Sequence, residues 1–298
     1  MKKGIYAKLP TEQNNPVSRN IDRASIQGIL QIINREDESV PRAVAKTFPQ
    51  IEKGVRLIVR SLKNGGRLFF AGAGTSGRLG VLEAAECPPT FDTPPSLVQA
   101  IIAGGKSAVF RSKEGAEDRG DEAFKIFNKK LKQNDVVVGI AASGITPFAA
   151  DAIKAARAKK CSTLLVTCNP AVPSNSADCV IAISTGPEVI TGSTRLKAGT
   201  ATKLVLNMLT VASMVQMGKV YHNWMVDLQP KSRKLVARGL RLVETLGQVN
   251  AREAEIYFDQ ARKKVKVAIL MARKRLDYAA AVKKLKESSG FLEKALDE

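Results

Sequence analysis

The sequence predicts an α/β fold in which helices cover both faces of a parallel sheet, followed by a small helical C-terminal part. Three observations support this prediction. Short apolar runs alternate with amphipathic segments, as expected when helices connect parallel strands. Glycine-rich turns follow two of these runs, and each opens a helix. Beyond Pro230 only short helical patterns remain, so the chain is predicted to divide into residues 1–230 and residues 231–298.

Helical segments precede the predicted sheet. Residues from about Asp22 to Ser61 are expected to form helices, because Ile26, Ile29, Leu30 and Ile33 recur at helical spacing. Strands are then expected near residues 67–71, 97–102, 136–141, 163–167 and 179–184. Helices are expected over residues 115–131, 147–160 and 196–217, the last being long and apolar enough for a buried central helix.

The turn after the first strand has the pattern of a phosphate-binding cradle. It reads Gly72-Ala73-Gly74-Thr75-Ser76-Gly77-Arg78, and a helix from Leu79 to Glu86 follows and stops at Cys87-Pro88-Pro89. Glycines allow a tight turn whose N–H groups face an anion, and the two hydroxyls add donors at the positive end of the helix. An ordinary helix start with capping hydroxyls stays open as the alternative.

The same glycines also fit the spacing of a dinucleotide-binding turn. Such a site needs an acidic residue at the end of the second strand, where it holds the ribose hydroxyls. The second strand here ends in Ala103-Gly104-Gly105-Lys106, which contains no carboxylate. The sequence therefore favours phosphate binding without a dinucleotide.

A second cradle follows the third strand, at Ser143-Gly144-Ile145-Thr146-Pro147. Two such turns suggest that one phosphate is held from two sides. A third hydroxyl-rich turn, Thr191-Gly192-Ser193-Thr194-Arg195, opens the long apolar helix. It could present donors and a cation to the same anion, or it could be a plain N-cap, and the sequence does not separate these readings.

Few carboxylates lie near the cradles, and Glu86 is the sharpest candidate among them for catalysis. Its predicted place in the last turn of a helix would raise its pKa, since the negative end of the helix dipole opposes a second negative charge. Glu83, one turn earlier, suits a structural role. Glu114, Glu117 and Asp118 cluster at a predicted helix start, where one of them could act as a base or all could simply stabilise the helix.

Composition limits the remaining classes of function. The four cysteines form no C-x-x-C pair and His222 is the only histidine, so neither a zinc cluster nor a disulfide framework is indicated and no metal or other cofactor is expected. No signal-peptide core or membrane-spanning apolar run is recognised, so a cytoplasmic location without membrane contact is expected.

The chain carries 47 basic and 28 acidic residues, a net charge of +19. Nucleic acid is one partner that such a charge could bind. The basic residues of the C-terminal part lie in helix-like segments with few aromatics between them, which favours a solvated basic face over a nucleic-acid site. A nucleic-acid partner is therefore not expected, although the charge does not exclude it.

Four motifs together resemble the N-acetylmuramic acid 6-phosphate etherases. They are the first cradle continued to Gly80, the segment Ala85-Glu86-Cys87-Pro88-Pro89-Thr90, the acidic segment 114–118, and the third turn continued to Thr200. The resemblance runs in order from about Ile21 to Leu296. It implies a sugar-isomerase (SIS) type domain with a small helical C-terminal part, a sugar-phosphate substrate and a homodimer.

The resemblance also implies the reaction and the residues that perform it. The lactyl ether of N-acetylmuramic acid 6-phosphate would be cleaved to N-acetylglucosamine 6-phosphate and D-lactate during cell-wall recycling, with Glu86 as the acid and Glu117 as the base. Ser76, Ser143 and Thr146 would bind the 6-phosphate, and Gly74, Thr75 and Gly144 would shape the turns. The chain departs from the family pattern at Ile145, where arginine is common.

The resemblance leaves one alternative in the same fold. The chain is also similar to the larger glucokinase regulatory proteins, so a non-catalytic sensor that binds a sugar phosphate is the second hypothesis. Insensitivity of such a sensor to Glu86→Gln would distinguish it from an enzyme.

Overall fold

The computed structural model describes residues 9–297. Five parallel strands form one sheet in the order β2-β1-β3-β4-β5. The strands are β1 (Leu68–Gly72), β2 (Val98–Ile102), β3 (Val136–Ile140), β4 (Ser162–Thr167) and β5 (Cys179–Ala182). Each predicted strand is confirmed to within two residues at its ends, because apolar runs buried on both faces of a parallel sheet have few alternative structures.

Helices precede, connect and follow the strands. They are α1 (Ile26–Asp37), α2 (Ser39–Ala45), α3 (Phe48–Lys63), α4 (Gly74–Phe91), α5 (Ser107–Phe110), α6 (Gly120–Lys130), α7 (Pro147–Ala158), α8 (Lys197–Gln216), α9 (Arg233–Gly247), α10 (Ala251–Gln260), α11 (Val265–Lys274), α12 (Tyr278–Glu287) and α13 (Leu292–Asp297). Short 3-10 turns lie at Pro10–Glu12, Pro16–Ser18, Ile21–Arg23, Ala116–Asp118 and Ser174–Ser176. The predicted α/β class with a helical C-terminal part is confirmed.

The chain forms two compact units. The first contains the residues up to Ala85 together with Ser96–Thr210, and the second contains Glu86–Pro95 together with the chain from Val211 onward. The first unit contains the sheet, and its core includes Phe69 and Phe127, whose rings meet edge to face at 6.3 Å. The second unit is helical and packs around buried residues such as Val243 and Phe258.

The predicted end of α4 is wrong. The helix passes through Pro88 and Pro89 and ends at Phe91. A proline lacks the N–H that would bond to the preceding turn, but near a helix end this loss is small because few bonds remain to be made. The N–H of Asp92 still bonds to the carbonyl of Pro88 at 3.1 Å, and Asp92 has a φ of 50°, so the left-handed residue ends the helix instead of the prolines.

The predicted helix over residues 115–131 is two elements. Gly115 has a φ of 72°, and the 3-10 turn Ala116–Asp118 follows it before α6 begins at Gly120. A left-handed glycine separates the turn from the preceding chain, since such a backbone cannot continue a right-handed helix. Because of this break, Glu117 and Asp118 lie on the short 3-10 turn and not in α6.

Helix α8 is long and apolar enough to cross a membrane, with a mean hydropathy of 1.2 over its apolar window, but 56% of that window is buried inside the protein. Its start is held by Glu188, a buried carboxylate that accepts the N–H groups of Lys197 and Ala198, both at 2.9 Å. Its middle donates to another buried carboxylate, as Asn207 Nδ2 lies 3.0 Å from Glu83 and Thr210 Oγ1 also donates to Glu83. These contacts make α8 a core helix, and they give Glu83 the structural role that its position suggested.

One buried ion pair joins the segments that lead into β1 and β3. Asp135 is 1% exposed and accepts hydrogen bonds from Arg67 N at 2.9 Å, Arg67 Nε at 3.1 Å, Arg67 Nη2 at 2.7 Å and Lys132 N at 2.8 Å. The bond to Asp135 raises the pKa of the Arg67 guanidinium. The pair therefore fixes the two strands that lead towards the cradles.

We expect Arg67→Ala to lower the free energy of unfolding by about 3 kcal/mol, because it leaves the Asp135 carboxylate buried without its cation. Urea unfolding followed by circular dichroism measures this change. Arg56→Ala is the matched control, since Arg56 contacts Glu52 at 2.6 Å but both side chains are exposed, and such pairs contribute about 0.5 kcal/mol. An equal decrease in the free energy of unfolding in the two variants would contradict the claim that the buried ion pair stabilises the protein more than the exposed one.

Candidate functional site

The two cradles lie side by side because β1 and β3 are neighbours in the sheet. Gly72 at the end of β1 pairs in register with Ile140 at the end of β3. From β1 the chain continues to β2 on one side of the sheet, and the later strands β3, β4 and β5 lie on the other side. Open parallel sheets bind their ligands at such a switch point, beyond the carboxyl ends of the strands. A cleft of about 540 Å³ opens there, and both cradles line it.

The first cradle is the first turn of α4. This helix begins at Gly74, earlier than the expected Leu79, so Gly74, Thr75 and Ser76 present the N-terminal end of the helix to the cleft. Gly74 has a φ of 52°, which favours glycine. Gly77 is required by close packing, because a Cβ there would lie 2.7 Å from the carbonyl oxygen of Gly72.

The second cradle precedes α7. Ser143 Oγ and Thr146 Oγ1 lie 3.4 Å apart and both residues line the cleft. Gly144 does not line the cleft but shapes the turn, with a φ of 74° and a Cβ position only 2.2 Å from Val172 Cγ2. Asn169 Nδ2 donates to the carbonyl of Ser143 at 2.9 Å and so fixes the turn to the end of β4. The serine and threonine hydroxyls of both cradles thus meet in one cleft.

The third turn contributes only in part. Gly192 and Thr194 line the cleft, whereas Arg195 is exposed and does not line it. The first N–H groups of α8 are already bonded to Glu188, and burial raises the pKa of that carboxyl while these bonds oppose the rise. An internal carboxylate therefore occupies the anion position at the start of α8, and a substrate phosphate cannot use it.

The predicted catalytic carboxylates fall into two groups. Glu117 and its neighbour Asp118 are exposed on the 3-10 turn and line the cleft. Glu114 does not line it and accepts a hydrogen bond from Ser112 Oγ at 2.7 Å. Glu86 is exposed on α4, is the first residue of the segment that belongs to the second unit, and is not among the residues lining the cleft. Because α4 continues to Phe91, the predicted place of Glu86 in the last turn of the helix is wrong.

One carboxylate in the cleft was missed by sequence analysis. Glu12 lies on the 3-10 turn Pro10–Glu12 and lines the cleft together with Leu9 and Thr11. The carbonyl of Thr11 accepts the N–H of Gly192 at 3.1 Å, and a Cβ at Gly192 would lie 3.0 Å from Glu12 Oε2. No local pattern marks such a residue, because only a tertiary contact brings the N-terminal segment to the cleft.

The N-terminal segment that contains Glu12 is also held by hydrogen bonds of residues that follow Glu12 in the sequence. Ser18 Oγ donates to the carbonyl of Val189 at 2.7 Å. Asn15 Nδ2 donates to Glu36 Oε2 at 2.7 Å, and the same oxygen accepts from Lys197 Nζ at 2.6 Å. The segment is therefore a fixed wall of the cleft.

The charge balance of the residues that line the cleft is opposite in sign to that of the whole chain. Among residues 9–297, those that line the cleft include three carboxylates, Glu12, Glu117 and Asp118, and no lysine or arginine. An anion bound there would be held by hydroxyls, backbone N–H groups and the positive ends of α4 and α7. Ile145 of the second cradle also lines this cleft, and its side chain adds no charge.

Among residues 9–297, no group of three or more His, Cys, Asp and Glu side chains is arranged to hold a metal ion. The four cysteines, Cys87, Cys161, Cys168 and Cys179, are free and buried. Burial raises the pKa of the Cys161 thiol to about 11 and that of Cys168 to about 12. The cleft itself brings carboxylates, which can act as acids or bases, next to the two cradles.

Comparison with known proteins gives both domain and full-length similarity. The family model described as the glucokinase regulatory protein N-terminal SIS domain matches residues 50–157, and the SIS domain model matches residues 121–212. An N-acetylmuramic acid 6-phosphate etherase from Geobacillus thermodenitrificans (strain NG80-2) is 48% identical over 291 residues, covering 97% of this chain and 99% of that protein. The protein of the same name from Salinibacter ruber (strain DSM 13855 / M31) is 49% identical, covering 97% of this chain and 94% of that protein.

A solved structure from Bacteroides fragilis NCTC 9343, described as a candidate phosphosugar isomerase involved in capsule formation, has a TM-score of 0.50 with this chain. It is 20% identical, and the match covers 66% of this chain and 94% of that structure. This similarity concerns the fold alone and agrees with a parallel sheet of the SIS type.

Proposed function

The chain belongs to the N-acetylmuramic acid 6-phosphate etherase family, so its activity is cleavage of the lactyl ether of that sugar phosphate, and we propose how its residues carry out the reaction. The observation that carries the proposal is the meeting of Glu117 with both cradles in one cleft. A cleft of about 540 Å³ is of the size that binds small molecules.

The 6-phosphate binds between the cradles. The hydroxyls of Ser76, Ser143 and Thr146 donate to its oxygens, together with the N–H groups that begin α4. Gly74, Thr75 and Gly144 give the two turns their shape. Binding through fixed donors of two adjacent turns orients the sugar, since a phosphate held from both sides cannot rotate freely.

The reaction is an elimination followed by hydration. In the open-chain sugar the C1 aldehyde makes the C2 proton acidic, and Glu117 removes it as the general base. The acid is assigned to Glu86 from the resemblance to the family and not from its position, because Glu86 does not line the cleft. In this assignment Glu86 protonates the ether oxygen at C3, the C–O bond breaks, and D-lactate leaves with the bonding electrons and that proton. Water then adds its hydroxyl at C3 of the unsaturated intermediate while a proton returns to C2, which gives N-acetylglucosamine 6-phosphate. The enzyme is a carbon–oxygen lyase in this account.

Glu12 completes the set of carboxylates in the cleft. It carries no phosphate-binding function, because it would repel the dianion. An ionised carboxylate accepts hydrogen bonds, so we assign it to the hydroxyl or amide donors of the sugar. This assignment supplies a specificity element that the two cradles lack, as they contact only the phosphate.

The measurement that tests the function is D-lactate release from N-acetylmuramic acid 6-phosphate by the purified chain. We expect release by the wild type, and a loss of about 10²-fold or more in Glu86→Gln if this carboxyl is the acid. Glu244→Gln, an exposed carboxylate of the same unit on α9, is the control and should keep full activity. Tight binding of the sugar phosphate with no release would instead indicate a sensor.

We propose further that the enzyme is a cytoplasmic homodimer that serves cell-wall recycling. Apolar residues on one face of α1 support association, because Ile26 is 80% exposed and Leu30 is 61% exposed. The alternative of a non-catalytic sugar-phosphate regulator is not favoured, since the relatives that match nearly the whole chain are named as etherases.

A further inference from the structure

The second unit contains a cavity of about 690 Å³ that the reaction does not use. Its walls are the segment Val226–Lys231, the connection between α10 and α11, the end of α12, and Asp92. All of these belong to the same unit. A concave site of this volume matches those that bind small molecules.

The lining of this cavity is strongly basic. Six cations face two carboxylates, a formal excess of four positive charges. The cations are Lys231, Arg262, Lys263, Lys264, Lys266 and Lys286, and the carboxylates are Asp92 and Asp227. The described residues that line the catalytic cleft have the opposite balance, so this cavity is the more basic of the two sites.

A buried ion pair forms the floor of the cavity. Lys266 is 8% exposed, and its Nζ donates to Asp227 Oδ2 at 2.7 Å and to the carbonyls of Gly218 at 2.9 Å and Gly290 at 3.0 Å. Burial lowers the pKa of Lys266, and the Asp227 carboxylate opposes that decrease. Asp227 also contacts Lys219 at 3.2 Å. Since an ammonium has three donors, Lys266 is fully satisfied and acts as a framework, not as a ligand contact.

Both carboxylates of the cavity already have partners. Asp227 has two lysines, and Asp92 Oδ1 accepts from Gln229 Nε2 at 2.7 Å. Among the residues that the structure describes, Lys231, Lys263 and Lys286 contact no carboxylate within 4.0 Å. The exposed cations are therefore not neutralised by the protein itself.

The backbone holds two of these cations in an uncommon conformation. Arg262 has a φ of 54° and Lys263 a φ of 61°, so two consecutive residues with long side chains are left-handed. Such residues cluster at sites that hold ligands. Tyr278 fixes the neighbouring side chains, with the Arg262 guanidinium 4.6 Å above its ring and Lys264 Nζ 3.3 Å from its hydroxyl. The cations are thus positioned by the fold.

Helix α11 begins at the wall of this cavity. Val265, Lys266 and Val267 line the cavity, and the N-cap residue Lys264 makes no side-chain capping hydrogen bond. The first N–H groups of a helix have no partner within the helix and attract anions. They add to the attraction that the basic side chains already exert.

We propose that this cavity binds a small phosphorylated molecule carrying several negative charges, in addition to the substrate that binds in the catalytic cleft. Guanidinium and ammonium groups are the usual partners of phosphate oxygens, and several cations around one cavity suit a polyphosphate better than a single carboxylate. Nucleic acid fits less well, because the site is concave and none of the described residues that line it is an aromatic on which a base could stack.

Isothermal titration calorimetry with pyrophosphate and with ATP tests this site. We expect both probes to bind the wild type more weakly as salt rises, and the pair Arg262→Gln/Lys263→Gln to bind them roughly tenfold more weakly or worse. The matched control is Lys274→Gln/Arg275→Gln, which removes the same charge at the end of α11. Arg275 is also exposed and left-handed, with a φ of 54°, but it does not line the cavity. The control should bind within about twofold of the wild type.

Four results would overturn the proposal. The first is absence of binding of either probe at millimolar concentration. The second is an equal loss in the two pairs, which would indicate diffuse surface charge. The third is binding that is lost in Ser76→Ala and kept in Arg262→Gln/Lys263→Gln, which would place the anion in the catalytic cleft. The fourth is binding of a short DNA duplex in place of both probes. Because D-lactate release is not the readout, failure of this site and failure of the etherase mechanism are distinguishable.

Discussion

Glu117→Gln is expected to lower the rate of D-lactate release by about 10²–10⁴-fold, because the amide cannot accept the C2 proton of the substrate. The substitution keeps the size of the side chain and should leave phosphate binding by the two cradles intact. Glu117 lies exposed on the 3-10 turn Ala116–Asp118, so the free energy of unfolding should change by about 0.5 kcal/mol or less. The loss would therefore appear in kcat with little change in KM or stability.

Exchange of the C2 hydrogen in deuterated water identifies the step that is lost. If Glu117 is the base, Glu117→Gln should lose both exchange and lactate release. Glu86→Gln should lose release but retain exchange, since its base is intact and only the leaving group lacks a proton. Glu114→Gln is the control on the same loop, as its carboxylate is bonded to Ser112 and does not line the cleft. Unchanged exchange in Glu117→Gln would contradict the assignment.

Gly77→Ala is expected to destabilise the protein by about 3 kcal/mol and to abolish phosphate binding at the first cradle. The added Cβ would lie 2.5 Å from Ile102 Cγ1 and 2.7 Å from the carbonyl oxygen of Gly72. The second neighbour is backbone at the end of β1, which cannot move without displacing the strand. The start of α4 must shift instead, and Thr75 and Ser76 move with it. Urea unfolding and the KM for the sugar phosphate measure the two effects.

Gly28→Ala supplies the matched control for this substitution. Gly28 lies in α1, and the nearest atoms to its Cβ position are side-chain atoms at 3.4 Å. Alanine is a better helix former than glycine by up to about 1 kcal/mol, so this variant should be neutral or more stable. A loss in Gly28→Ala equal to that in Gly77→Ala would show that the packing argument is wrong.

The sheet and both cradles could be predicted from the sequence because their determinants are local. Apolar runs and glycine-rich turns mark strand ends directly, and the structure confirms the five strands. That the two cradles share one cleft follows from the strand order, which places β1 beside β3. The two similar glycine-rich turns suggest that the cradles share one ligand, but the strand order that makes them neighbours cannot be read from their spacing in the sequence.

Three other features were not predicted from the sequence, and two of them depend on contacts between distant segments. Pro88 and Pro89 predict a helix end by their chemistry, yet the helix tolerates them near its end and stops at Asp92. Glu12 reaches the cleft only because Thr11 pairs with Gly192 across the fold. Glu188 caps α8 from nine residues before it, a distance at which no capping pattern is recognisable. For Glu12 and Glu188 a tertiary contact determines the position, whereas the two prolines are tolerated because few helix bonds remain to be made near the end of α4.

In the part of the chain that the structure describes, the groups that line the catalytic cleft and donate to an anion are hydroxyls and backbone N–H groups, and this has a consequence for turnover. Long cationic side chains lose rotamer freedom whenever they close on a ligand, and they regain it when the ligand leaves. Hydroxyls on short side chains and N–H groups fixed at helix starts have little such freedom to lose. Their alignment is completed once, when the chain folds, instead of in every catalytic cycle. A phosphorylated product held in this way would leave a site that is already arranged for the next substrate.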